Sequence, residues 1–161
     1  KHGTVTFGKA TITFRPYAQT IMQEAFKLLR PGGTAVVIAK AKYGKEFIQH
    51  QEEELPLCYR AIWLNGKSFA DVLVFNKHHD PEAFLPNAPH VYSYESDDLD
   101  NKPVGLLEDI ITSFSKENDL VINLLGINSA IETAVKNTKR KFLQHKVDMS
   151  LFTFRYNAGG Q

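Results

Sequence analysis

The sequence predicts an α/β domain built on a mixed, mostly parallel sheet flanked by helices, with one antiparallel strand pair. Three observations predict it. Leu120 to Leu125 is an unbroken apolar run, the pattern of a strand covered on both faces. Beyond Gly126 and Asn128, Ala130, Ile131, Ala134 and Val135 recur at helical spacing, and Phe142 to Val147 is a second apolar stretch. Together these make a strand, turn, helix and strand unit, a right-handed crossover. Finally, the apolar runs Cys58 to Leu64 and Asp71 to Phe75 are separated by Asn65-Gly66-Lys67-Ser68, and an Asn-Gly pair suits the turn of an antiparallel pair.

The composition is that of one globular domain. With 161 residues, 43% of them hydrophobic, and a formal charge of +1, the chain can bury a substantial core. No run reaches the roughly eighteen apolar residues of a membrane span. Cys58 is the single cysteine, so no intramolecular disulfide forms, and nothing has the layout of a signal peptide. An intracellular setting, cytoplasmic or nuclear, is the expectation. The first residue is not Met and the chain ends Asn157-Ala158-Gly159-Gly160-Gln161, so it is expected to be a piece of a longer protein.

In order, the single domain divides into a hairpin over 1–14, a sheet half over 15–80, a loop over 81–101, a second half over 102–148 and a C-terminal strand and tail over 149–161. Thr4 to Phe7 and Ala10 to Phe14 alternate about Gly8-Lys9, a hairpin signal. After Arg15-Pro16, the residues Tyr17, Ile21, Ala25, Leu28 and Leu29 recur at helical spacing and are stopped by Pro31-Gly32-Gly33. Thr34 to Ala39 follows as a buried strand. Tyr43 to Leu55 is read as a short helix carrying Phe47 and Ile48, with Glu52, Glu53 and Glu54 as a solvated end. Trp63 is read as core rather than as a base-stacking platform.

His50 has no second ligand at a useful spacing and is read as surface. His78-His79-Asp80 is the densest group of potential ligands. Adjacent residues of an extended strand point to opposite sides, so the group is read as a polar strand exit and no metal is expected. Pro81, Pro86, Pro89 and the acidic run Glu95-Ser96-Asp97-Asp98 mark the loop. A helix begins after Lys102, with Pro103 near its first turn and Val104, Leu107, Ile110 or Ile111 and Phe114 on one face. Leu151 to Tyr156 alternates and is expected to pair with the N-terminal hairpin or with another chain.

A resemblance ties these pieces together. The segment Asn101-Lys102-Pro103-Val104-Gly105-Leu106-Leu107-Glu108-Asp109-Ile110-Ile111, then Asp119 to Val121, then the crossover unit, resembles the C-terminal half of the permuted, beta-class S-adenosylmethionine-dependent methyltransferases. These act on adenine N6 or cytosine N4 in DNA. The Leu29-Arg30-Pro31-Gly32-Gly33 phrase and the Ile62-Trp63 strand are similar to earlier segments of the same family, so the resemblance spans roughly Arg15 to Asp148. It implies a Rossmann-like methyltransferase fold.

The cofactor turn of this chain departs from the family. Asn123 stands where the family has Asp, Leu124 where it has Pro, Ile127 and Ser129 where it has two glycines, and Lys146 where it has the ribose-binding carboxylate. Only Lys102, Pro103, Gly126 and the apolar framework match, with Asn128 inside the turn. The family's reactive Asp-Pro-Pro-Tyr motif is absent from Lys1 to Gln161. The residues Lys102, Pro103, Asn123, Gly126, Ile127, Asn128 and Lys146 are therefore expected to form a degenerate cofactor site, with no catalytic residue and no bound cofactor. S-adenosylmethionine is the ligand should the site function. Lys136, Lys139, Arg140 and Lys141 are a weak nucleic-acid patch, read first as a solvated helix end.

What the resemblance implies is a catalytically degenerate subunit that supports an active adenine N6-methyltransferase by heterodimerisation, meeting DNA or RNA through the complex and no membrane. The alternatives are an active enzyme whose catalytic motif lies upstream of Lys1, and a nucleic-acid-binding or assembly module that keeps only the fold.

Overall fold

A computed structural model describes residues 3–7, 10–14, 17–78, 88–125, 129–145 and 155–157. The elements follow the order Gly3–Phe7 (β1), Ala10–Phe14 (β2), Tyr17–Leu28 (α1), Thr34–Ala39 (β3), Ala41–Gln49 (α2), Leu57–Asn65 (β4), Ser68–Asn76 (β5), Val91–Ser93 (β6), Val104–Phe114 (α3), Leu120–Asn123 (β7), Ser129–Asn137 (α4), Lys141–Gln144 (β8) and Arg155–Asn157 (β9). Among the described residues no helix is long and apolar enough to cross a membrane.

The strands fall into three sheets, in the orders β1-β2-β9, β3-β5-β4-β6 and β7-β8. The architecture is α/β with a mixed sheet, as the sequence predicts. Its parallel share is smaller than the apolar runs suggest: four of the six described pairings are antiparallel, and only β4–β6 and β7–β8 are parallel. The reason is the β4–β5 hairpin, which returns β5 between β3 and β4. Its two strands run right up to the turn, where Gly66 takes a φ of +60° that glycine adopts without a steric penalty. β9 pairs with β2, Ile12 opposite Tyr156, so the terminal strand meets the hairpin. Gly8, Lys9 and Leu151 to Phe154 lie outside the described residues.

Alternation along β3 and β5 builds a core on each face. One face gathers Val36, Ile38, Val72, Val74 and Trp63 under α3, with Leu106, Ile110 and Phe114. The other gathers Ala35, Val37, Leu73 and Phe75 under α1 and α2, through Ala18, Ile21, Met22, Ala25 and Phe47. A third cluster joins α3 to α4 and β7 through Leu107, Ile111, Ala134, Val135 and Val121. Trp63 is fully buried and its indole N–H donates to the Tyr94 carbonyl at 2.9 Å, so it is core.

The Leu-Arg-Pro-Gly-Gly phrase has a structural explanation. The Asn76 amide donates to the carbonyls of Gly32 and Gly33 at 3.0 and 3.3 Å and to Thr34 Oγ1 at 3.3 Å. Beside it, Lys77 Nζ donates to the carbonyls of Phe26 and Leu29 at 2.8 and 2.7 Å, supplying a cation to carbonyls at the end of α1. The end of β5 thereby locks the turn between α1 and β3.

Three expectations need correction. The helix read from Tyr43 to Leu55 spans Ala41–Gln49 and stops before the acidic triplet. Glu52 and Leu55 form a bridge that reverses the chain, and Leu55 is fully buried. Thr34 to Ala39 is half-buried along its whole length rather than buried, because β3 is bonded on one side only. Leu28 is exposed and Met22 takes a place in the buried face of α1.

Candidate functional site

The first and last strands of the crossover unit, β7 and β8, run parallel, Asn123 opposite Gln144. α4 links them and packs back through Ala134 and Val135. Asp119, which precedes β7, pairs with Arg30, which precedes β3, at 3.8 Å. The starts of β3 and β7 thus lie at one end of the molecule, and their carboxyl ends lie together at the other. In open α/β sheets that carboxyl end, where the order of winding reverses, is the ligand crevice.

At this end the structure brings together one residue of the predicted set and one the sequence reading passed over. Asn123 Nδ2 donates to Gln144 Oε1 at 2.9 Å, and Gln144 Nε2 donates to the Asn123 carbonyl at 3.3 Å and to the His145 carbonyl at 3.2 Å. His145 Nε2 lies 3.6 Å from Glu24 Oε2 of α1. The tips of β7 and β8 are therefore joined by a neutral amide pair. Gly126, Ile127, Asn128 and Lys146 lie outside the described residues.

Lys102 and Pro103 stand at the entrance of α3. Pro103 caps the helix with φ −62° and ψ 148°, and its carbonyl accepts from Leu107 N at 3.2 Å. Lys102 is half-buried. α3 and β7 share the cluster of Leu107, Ile111 and Val121, which sets this entrance against the crossover unit. Lys40, just past the end of β3, reaches Asp100 at 3.4 Å.

The loop before α3 is ordered by side chains that the sequence reading took only as acidic filler. Asp98 Oδ1 accepts from the backbone amides of Asp100 and Asn101 at 2.8 and 2.9 Å and from Asn101 Nδ2 at 2.9 Å. The two amide bonds, Asn101's first, hold its carboxyl below the usual carboxylate range. Asn65, at the end of β4, binds Ser96 through both ends of its amide, at 3.0 and 3.1 Å. Such Asx and Ser contacts were the available signal: Asn65, Ser96 and Asp98 are residues that bond to backbone within turns.

The predicted basic patch divides. Arg140 is committed to the fold, donating to Ser115 Oγ, the Ser115 carbonyl and the Thr138 carbonyl at 3.0, 2.7 and 2.6 Å. Lys136 pairs with Glu132 at 3.0 Å. Lys139 is exposed at a φ of +60° just past α4, and Lys141 is exposed at the start of β8. All four sit at the amino end of β8, opposite the crevice. His50 closes α2, its N–H bonded to Glu46 O. His79 and Asp80 lie outside the described residues, among which no group of three or more His, Cys, Asp or Glu could hold a metal.

Cofactor chemistry can be set against this arrangement. A nucleoside cofactor asks for a carboxylate at the strand ends to accept from ribose hydroxyls, and the sulfonium of S-adenosylmethionine is a cation. The described strand tips offer a neutral amide pair already bonded to itself, which fits that cofactor poorly.

No protein-family model matches the chain, and no curated protein matches it. Solved structures do. The M1.HpyAVI–SAM complex superposes with a TM-score of 0.68 at 16% identity, covering 85% of this chain and 79% of that one. TTHA0409 of Thermus thermophilus, a putative DNA modification methylase, gives 0.64 at 14% identity in its complex with S-adenosyl-L-methionine, covering 83% and 71%. The cytosine-N4-specific PvuII DNA methyltransferase gives 0.63 at 16% identity, covering 82% and 66%. Two of these three structures carry the methyl donor, so the comparisons lend no support to the expectation that no cofactor binds. Likeness at this identity establishes architecture, and the architecture of this chain is the Rossmann-like α/β fold of these DNA methyltransferases.

Proposed function

We propose that the chain is a non-catalytic methyltransferase-like subunit that pairs with an active adenine N6-methyltransferase and helps to hold its DNA or RNA. The observation that carries this reading is the Asn123–Gln144 amide pair at the tips of β7 and β8. A carboxylate at this place attracts a sulfonium cation and accepts from hydroxyls, whereas a pair of amides satisfies itself and leaves no charge. Losing a hydrogen bond to a charged acceptor weakens binding by about 1.5–3 kcal/mol, roughly tenfold to a hundredfold in affinity. The absence of Asp-Pro-Pro-Tyr from the sequence supports the same reading, since a flipped base needs such a group to receive its exocyclic amine.

The neighbours crystallised with S-adenosylmethionine favour a second reading, an enzyme that keeps the donor despite the altered turn. Calorimetric titration of the folded chain with S-adenosylmethionine separates the two. Undetectable binding, together with stimulation of an active methyltransferase on mixing, is the expected result. Micromolar binding with methyl transfer by the chain alone would replace the subunit reading with the enzyme.

A further inference from the structure

The two interior sheets end on unpaired edges that run side by side. Among the described residues β3 is bonded only to β5, and β7 only to β8. Both strands start at the same end, as the Arg30–Asp119 pair requires, so they are parallel. They stand further apart than hydrogen-bonded neighbours, yet Ile38 of β3 packs on the same cluster as Val121 of β7. Each edge is a row of backbone donors and acceptors without a ladder partner. Thr34–Ala39 and Leu120–Asn123 are apolar, and both are half-exposed where a doubly wound fold should be most covered.

We infer that Ala10–Phe14 is the strand that closes this gap, inserting between β3 and β7 parallel to both, in exchange for its ladders with β1 and β9. Connectivity selects this segment. Two residues join it to α1, the usual length of a strand-to-helix link, and α1 leads directly to β3. A strand–helix–strand connection between parallel neighbours is right-handed, and the handedness can be read from within the molecule. β3, α2 and β4 form a parallel crossover with α2 on the face that α1 also covers. A strand on the open edge of β3, followed by α1 on that face and then β3, repeats the same hand. β7, α4 and β8 wind the other way from the gap, with α4 on the opposite face beside α3, again in the same hand.

The energetics favour a reversible exchange. Moving β2 gives up two antiparallel ladders, with Gly3–Phe7 and Arg155–Asn157, and gains two parallel ones, so backbone bonding nearly balances. The difference is the burial of β3 and β7, and apolar area removed from water stabilises. The two-residue tether keeps the local concentration of the segment high. The sequence Ala-Thr-Ile-Thr-Phe is free of Gly and Pro and rich in β-branched residues.

Two measurements test it. In a Cys58→Ser background, Ile12→Cys with Val5→Cys reports the hairpin, where the two residues are opposite, and Ile12→Cys with Val37→Cys reports the inserted strand. Both disulfides are expected under mild oxidation, and Tyr156→Pro, which breaks the ladder to β9, should raise the second several-fold. Amide hydrogen exchange on the chain without cysteine substitutions is the companion measurement. The β3 amides that face the gap are expected to exchange at least tenfold more slowly than an open edge, a protection that Ile12→Pro removes while β4 and β5 amides stay protected. Failure of the Ile12–Val37 link in both backgrounds, or exchange of those amides at open-edge rates, would overturn the inference.

Discussion

The half built around β5 and the half built around β7 use similar apolar strands and reach different degrees of burial. Ala70 to Asn76 are all buried, covered by helices on both faces and flanked by β3 and β4. Leu120 is 55% exposed, and Val121, Ile122 and Asn123 are half-buried. Sequence hydrophobicity alone does not separate Asp-Val-Leu-Val-Phe from Leu-Val-Ile-Asn. What separates them is neighbours: β5 has a strand on each side, β7 on one. Stability is therefore expected to reside in the β3–β6 half, and the ligand-crevice half to be the softer one.

The largest test of that contrast is Trp63→Ala. The side chain is fully buried and its indole N–H is bonded to the Tyr94 carbonyl, so truncation leaves both a cavity and an orphaned carbonyl. A loss of about 3–5 kcal/mol is expected, seen in urea unfolding as a large drop in midpoint. Next comes a matched pair. Leu73→Ala in β5, a site with no exposure, should cost about 2–5 kcal/mol, and Ile122→Ala in half-buried β7 clearly less than that. Equal losses would show that the two halves unfold as one equally packed unit, against the contrast drawn above.

A smaller effect probes how α2 is seated on β5. A Cβ added at Gly44 would lie 2.7 Å from Asp71 Oδ2. That oxygen is buried and has no hydrogen-bond partner among the described residues, while Oδ1 receives Arg60 at 3.3 Å. Gly44→Ala should cost about 1–3 kcal/mol by overpacking. In an Asp71→Ala background the cost should shrink, a non-additivity that a double-mutant cycle measures directly.

Much of this fold was legible in the sequence because it rests on short-range pattern. The β4–β5 hairpin follows from Asn65-Gly66, α1 from its helical spacing, and α3 from Pro103 and an apolar face. The misses share one cause, that the deciding partner is distant in sequence. β6 is three residues with only Tyr92 buried, and it exists because β4 offers an edge. Arg140 reads as a surface cation until Ser115, twenty-five positions away, claims it. The acidic triplet reads as a helix end until the Glu52–Leu55 bridge turns the chain. At the candidate site the sequence correctly marked Asn123 as the end of the first strand, but the partner that gives it meaning, Gln144, lies on the returning strand and carries no motif of its own.

The finest test addresses the seam between the two halves, where the loop after β6 meets α3. The Tyr94 hydroxyl donates to Asp109 Oδ2, and Tyr94 lies against Gly105, where an added Cβ would come within 3.0 Å of its ring. The bond to Asp109 first, then burial and the negative charges of Asp109 and Glu108, push the phenol from its ordinary value of 10.0 up to about 12. The folded chain thus holds the proton more tightly than the unfolded chain does. By linkage this contribution to stability is fully present below about pH 10 and is lost as the pH rises through about 12. Because the pair is largely solvent-accessible, the effect should be the smallest of those considered. Tyrosinate absorbance near 295 nm should show one late-titrating tyrosine that Tyr94→Phe removes, and unfolding midpoints of the two proteins should converge above that pH. If Tyr94 titrates at its ordinary value, the loop is not held to α3 by this bond, and the coupling of the two halves must rest on the apolar contacts of α3 alone.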